Sequence, residues 1–225
     1  MNPSYFFDLS KFGHASLFNE TQPVWNALKK LEEYLLSHPL GHIEGLIHQG
    51  AYLINPEEIS IGKETIVEAG AYILGPCVIG ENCQIRHGAY VRGNVVTGNG
   101  CIIGHATEVK HAIFLDEAKA GHFAYIGDSI IGNRVNLGAG TKCANLRFDQ
   151  EEVSILWGEK RIQTGLRKFG AILGDDAQTG CNSVTNPGTV IGKNSCLAPC
   201  LTAKGVIPEN HILKAIENVT LAPHS

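Results

Sequence analysis

From Ile61 onward, one residue in every six is a large aliphatic: Ile61, Val67, Ile73, Ile79, Ile85, Val91, Thr97, Ile103, Val109 and Leu115, with nine of the ten branched and apolar. Four residues after each, the side chains are mostly small, as at Thr65, Ala71, Cys77, Cys83, Ala89, Val95, Cys101 and Thr107. The register returns at Ile131 and Leu137, and again at Leu173, Thr179, Thr185, Ile191, Leu197 and Ala203. An amphipathic helix repeats every 3.6 residues and a strand every 2, so neither alone makes a period of six. A fixed period over so long a stretch is the mark of stacked structural repeats. The 26 glycines fit repeated turns, because glycine takes positive φ without steric cost.

Composition narrows the class. A chain of 225 residues makes one domain with room for an appendage. No apolar run nears the ~20 residues that a membrane span needs. The N-terminus, MNPSYFFDLSKFG, lacks the basic and apolar regions of a secretory signal, so a cytoplasmic protein is expected. Seven cysteines are an odd number, and the one close pair, Cys196 and Cys200, has no neighbouring histidine. Reduced thiols and no metal are expected. A formal charge of −4 gives no sign of nucleic-acid binding.

The hexapeptide pattern resembles the left-handed parallel β-helix acyltransferases, in which three hexads make one triangular coil. That resemblance implies an all-β, single-domain fold of about eight coils. One large aliphatic per face would fill the prism and the small residue would turn the corner, so Cys77, Cys83 and Cys101 read as packing residues. A helical extension is expected over 1–44, the β-helix over 45–205 and a tail over 206–225. Within the extension, residues 21–37 read as a helix with Thr21 as N-cap and a stripe of Val24, Trp25, Leu28, Leu31 and Leu35. Residues 146–169 or so read as a hairpin projecting from the coil. Its base is basic, and Arg161, Arg167 and Lys168 are candidates for a CoA phosphate.

Four blocks are more specific: E-V-K at 108–110, K-A-G-H at 119–122, Y-x-G-D at 125–128 and V-N-L-G-A-G-T at 135–141. With their spacing they resemble the acetyltransferase domain of bifunctional glucosamine-1-phosphate acetyltransferase/N-acetylglucosamine-1-phosphate uridyltransferase. The resemblance implies His122 as general base. It implies that Arg92, Lys110, Tyr125 and Asn136 hold a sugar phosphate, and that Asn145 of a neighbouring subunit helps bind acetyl-CoA, the co-substrate. It also implies a homotrimer with sites between parallel prisms. The residue types suit the chemistry: histidine accepts a proton near pH 7, and cations meet a phosphate dianion. Arg92 and Lys110, 18 residues apart, would share a face, and His105 lies 17 before His122.

The pattern departs from that family in places. The chain has only about 45 residues before the repeats and lacks a glycine-rich nucleotidyltransferase loop, so uridyl transfer by this chain alone is not expected. The family's C-N-Y-D segment is here Ala144-Asn145-Leu146-Arg147, and its CoA-contacting serine aligns with Cys181. The hairpin and the segment after it are more similar to the C-terminal domains of archaeal-type sugar-1-phosphate nucleotidyltransferases. Three alternatives stay open: acyl transfer to a nucleotide-linked amino sugar, a non-catalytic sugar-phosphate-binding trimer that partners a separate nucleotidyltransferase, and a zinc site built on His87, His105 and His111. The six-step register runs from Leu115 onto Gly121 and resumes at Ile131, so the repeat is expected to slip around His122.

Overall fold

The computed structural model describes residues 1–215, in which short parallel strands stack into three walls. Wall 1 holds nine strands, from Leu46–Ile47 to Ile212–Leu213. Wall 2 holds eight, from Tyr52–Ile54 to Thr202–Ala203, and wall 3 eight, from Ile59–Ile61 to Val206–Ile207. The chain visits the walls in the order 1, 2, 3 and then climbs one rung, giving a left-handed parallel β-helix. Strands of two to four residues suffice because each residue that points inward is covered by the rungs above and below. Ile61, Val67, Ile73, Ile79, Ile85 and Val91 all lie in this core, each at 1% exposure or less. Each such side chain stabilises by about 1.5–3 kcal/mol relative to leaving it in water. Cys77, Cys83 and Cys101 are in the same core, as is Cys143. Burial pushes the Cys77 thiol up to about 12 and Cys143 to about 11, so both are neutral packing groups.

The slip in the repeat lies elsewhere than expected. Wall 3 turns Phe114, not Leu115, into the prism, where it pairs with Thr97. Leu115 faces outward into a second cluster. The cause is the corner between walls 2 and 3. Earlier coils turn it with two residues, as at Gly93-Asn94; here His111 turns it alone, with φ +46°. One coil later Asp128 does the same with φ +48°. Each missing residue shortens its coil to 17, so that Val109 faces Ile126, and Ile113 faces Ile130. The repeat therefore loses its residues at His111 and Asp128, on either side of His122 in the chain.

The outer side of wall 3 is covered. The extension holds α1 (Pro3–Phe6), a 3-10 turn at Ala15–Leu17 and α2 (Asn26–Ser37). The apolar stripe of α2 packs with Val96, Ile113, Leu115 and Ile130 of wall 3. The helix starts later than expected, at Asn26, and Thr21 does not cap it. The Thr21 hydroxyl is instead held at 2.8 Å by Asn19 Oδ1, in the turn before the helix. Asp175 ties the first residues to the coil, accepting the Asp8 N–H at 2.7 Å and the Asn133 N–H at 2.8 Å. Strands Val153–Trp157 and Lys160–Leu166 form the antiparallel hairpin. It does not project: Val153 and Ile155 are buried against Ile172 and Val190, so the hairpin lies on wall 3 beside the extension. Nor does the coil end at 205, because Val206–Ile207 and Ile212–Leu213 add to walls 3 and 1. The rest of the expected tail, 216–225, is outside the described residues.

Candidate functional site

Among the described residues walls 1 and 2 have no such cover, and most of the polar residues singled out in the sequence block gather on the outside of wall 2. Outward positions along successive rungs are Tyr90, Glu108 and Tyr125, in register. Arg92 and Lys110 end their strands one rung apart, and Lys110 pairs with Gly127 on the next. A Cβ at Gly127 would come within 2.6 Å of the Tyr125 hydroxyl and 2.8 Å of Asn145 Nδ2. Glycine at that place lets the Tyr125 side chain lie across the wall toward Asn145.

Both cations are already paired. Arg92 donates to Glu108 at 2.6 Å on the open surface. Lys110 donates to Asp128 at 2.8 Å in a more enclosed setting, with the Asp128 side chain only 8% exposed. Asn145 donates to the same Asp128 oxygen, and the Tyr125 hydroxyl donates to Asn145 at 3.4 Å. Burial, with the Asp128 charge next in size, raises the Tyr125 phenol above its ordinary range, so it stays a neutral donor. The corner residue His111 donates from Nε2 to the Leu28 carbonyl of α2 at 3.0 Å, joining the corner to the extension. Lys168, at the foot of the hairpin, completes a polar cleft of about 250 Å³ with Arg92, Asn94, Lys110, His111 and Asp128.

His122 stands at the other edge of wall 2, on the corner with wall 1. It continues a column in which His87, His105 and His122 occupy successive rungs. His87 donates from Nδ1 to the Ala69 carbonyl at 2.6 Å, and His105 to the His87 carbonyl at 2.8 Å. Those bonds place a proton on Nδ1 of both rings. The two rings stack at 5.6 Å, and His105 meets Phe123 edge-on at 5.3 Å. The His122 ring is exposed and makes no hydrogen bond among the described residues. His111 is at the opposite corner from His87 and His105, so the three histidines of the zinc alternative do not converge.

Four expected site residues lie apart from the wall 2 cluster. Asn136 is outward on wall 1, on the far side of the His122 corner. Cys181 is exposed in the His122 column, beyond Ala139, which sets it two rungs or roughly 10 Å away. Arg161 reaches Ser154 along the hairpin at 3.1 Å, and Arg167 is exposed. Lys168 parts from these two by entering the cleft with Arg92 and Lys110. The three basic residues thus form no single phosphate site. Asn145 sits within the wall 2 cluster of its own chain.

Residues 73–191 match the family described as the GMPPB C-terminal domain, which covers more than half of the 225 residues. The chain belongs to this family. It is 35% identical over 179 residues to a bifunctional sugar-1-phosphate nucleotidylyltransferase/acetyltransferase from Sulfurisphaera tokodaii, covering 78% of this chain and 43% of that protein. It is 39% identical over 112 residues to the bifunctional protein GlmU of Methanococcus vannielii, covering 49% of this chain and 27% of GlmU. The aligned part of the chain spans less than half the length of either relative.

Two members of the cluster were not singled out in the sequence, although both lie in the quoted blocks. Glu108 opens E-V-K and neutralises Arg92; Asp128 closes Y-x-G-D and collects Lys110 and Asn145. The signal was the coil length: Asp128 lies one residue beyond Gly127, which is one 17-residue coil after Lys110.

Proposed function

We propose that this protein is an acyl-CoA-dependent N-acetyltransferase of an amino-sugar 1-phosphate, with acetyl-CoA as donor and glucosamine 1-phosphate as acceptor. The carrying observation is the outer face of wall 2, with an exposed, unbonded imidazole at one edge and a cationic cleft at the other. The acceptor's phosphate would sit toward Arg92 and Lys110, its hydroxyls near Tyr125 and its amine toward His122. His122 takes a proton from the amine as nitrogen attacks the thioester carbonyl. The C–N bond forms, the tetrahedral intermediate collapses, the C–S bond breaks, and the proton passes to the leaving thiolate. No acyl-enzyme is formed.

The residues implied for the acceptor lie on two walls, with Asn136 round the corner from the rest. A cleft between neighbouring prisms would bring wall 2 of one subunit to wall 1 of the next, which supports a cyclic homotrimer. Nothing in the cluster calls for a metal. A soluble cytoplasmic enzyme suits these substrates, and no described helix is long and apolar enough to cross a membrane.

A second reading has one observation in its favour. Beside the cleft, Ala144, Leu146, Phe148, Asn186 and Pro187 line a mainly apolar groove of about 480 Å³, with the Phe148 ring fully exposed. An aromatic face there suits a nucleobase and hence a nucleotide-linked amino sugar. The experiment is a thiol-release assay with acetyl-CoA and either glucosamine 1-phosphate or a nucleoside-diphosphate amino sugar. Turnover with the former, abolished in His122→Ala, is expected. A His122→Ala variant with near-wild-type turnover would refute the histidine-base mechanism.

A further inference from the structure

We propose that Cys181 and Cys200 form a dithiol that a low-molecular-weight disulfide oxidises to a bridge between two adjacent coils. The proposal stands apart from the acetyltransferase reading. Both thiols are free and exposed, whereas Cys77, Cys83, Cys101 and Cys143 are buried in the prism. Cys181 lies in the His122 column, and Cys200 is the left-handed corner residue one coil above, with φ +59°. The Cys200 N–H donates to the Cys181 carbonyl at 2.9 Å. Covalent geometry fixes each Cα to its end of that bond, so no more than about 6.8 Å separates the two Cα atoms, whatever the angles. Disulfides join Cα atoms about 4.4–6.8 Å apart, so the backbone needs no large shift to be bridged.

A pair lower in the same column shows where side chains at these two places go. The Phe123 N–H donates to the His105 carbonyl at 2.8 Å, and Phe123 has φ +53°, so the two are related as Cys200 and Cys181 are. Their rings meet edge-on at 5.3 Å. Side chains from the two positions thus converge outside the corner, and cysteines there face one another across the rungs. A Cβ at Gly180 would lie 2.3 Å from the Pro199 nitrogen, so the backbones are in contact and hold the pair in place. Cys196 is off this corner, outward on wall 1 in register with Gln178. The chemistry is two exchanges. One cysteine thiolate attacks the reagent's S–S bond, forming a mixed disulfide, and its proton passes to the departing thiolate. The second cysteine attacks the mixed disulfide and releases the other half of the reagent as a thiol. Two protein thiols are oxidised to one disulfide, and the reagent is reduced to two thiols. The bridge closes a loop over residues 181–200, whose strand Cys196–Leu197 supports the end strand of wall 1.

The test treats the native protein with oxidised glutathione and reads it by mass spectrometry without reductant. The wild type should lose two hydrogens, with Cys181 and Cys200 joined in the peptide map, and dithiothreitol should restore both thiols. Cys181→Ser and Cys200→Ser should each stop at one mixed disulfide, on the thiol that remains. Closing a loop of this length should raise the Tm of the oxidised wild type by about 5 °C, with no such rise in either variant. Wild-type protein that is left unmodified, that stops at a mixed disulfide, or that joins Cys196 or a second chain overturns the proposal. So does a 181–200 bridge that lowers Tm, which would show that the corner has to distort to close it.

Discussion

Gly121 and Gly138 occupy equivalent places on successive coils, each just after the inward residue of wall 1, and neither has a positive φ. Alanine is conformationally acceptable at both, so only space distinguishes them. A Cβ at Gly121 meets nothing within 4 Å. A Cβ at Gly138 lies 2.6 Å from both the Thr179 oxygen and the Gly180 carbonyl carbon, and 2.7 Å from the Cys181 nitrogen. All three are backbone atoms of the next rung, which cannot rotate away. Relief to an ordinary contact requires the rungs to part by about 0.8 Å. That strains the bond from the Gly138 N–H to the Thr179 carbonyl, 2.9 Å long in the native fold. Overpacking of this kind costs about 1–3 kcal/mol, and a weakened hydrogen bond adds up to about 1. Gly138→Ala should therefore lose about 2–3 kcal/mol, whereas Gly121→Ala should be neutral or gain about 0.5 from reduced chain entropy. For a chain of this size the pair should differ in Tm by roughly 5–10 °C. Differential scanning calorimetry on both variants decides it: equal Tm values would mean that the rungs are not packed to backbone contact at this corner.

Three further outcomes are expected. Asp128→Asn keeps a residue suited to the left-handed corner but strips Lys110 of its counter-charge, at a cost of about 2 kcal/mol in urea unfolding; adding Lys110→Met should recover at least half. Trp25→Ala removes a buried ring from the layer over wall 3 and should cost about 3–5 kcal/mol by the same measurement. Burial, with His38 beside it, holds the His14 imidazole down at about 4 from an ordinary 6.5. Its folded form resists protonation, so its contribution to stability is full above pH 6.5 and is lost as pH falls to about 4, at most about 3 kcal/mol. His14→Gln should flatten the stability profile across that window; an unchanged profile would mean that other groups set the acid limit.

Much of the site could be read from the chain because the contacts that build it are nearly periodic. Arg92, Lys110 and Tyr125 fall on one wall because coils of 17 or 18 residues return each to the same side. The wall of Asn136 follows from the same count, but which wall faces which in an assembly does not. The pairing of Lys110 with Asp128 depends on a corner that closes with a single residue. Ile113, Phe114 and Leu115 are all large and apolar, so their sequence cannot say which points inward. Hydrophobic pattern distinguishes inside from outside only where the outside is wet, and the outer side of wall 3 is dry beneath the extension and hairpin.

The sequence by itself determined the stacked repeat, a period of six sustained by inward aliphatics and small corner residues, and its resemblance to the left-handed β-helix acyltransferases implied the three-walled prism. It also carried the residues of the likeness to sugar-phosphate acetyltransferases, including His122. Tertiary structure decided where the two residues missing from the repeat are absorbed, that the hairpin lies down on wall 3, and that Lys168 joins Arg92 and Lys110 rather than Arg161. Each of those depends on segments far apart in the chain competing for one apolar surface, and a local repeat holds no record of that competition.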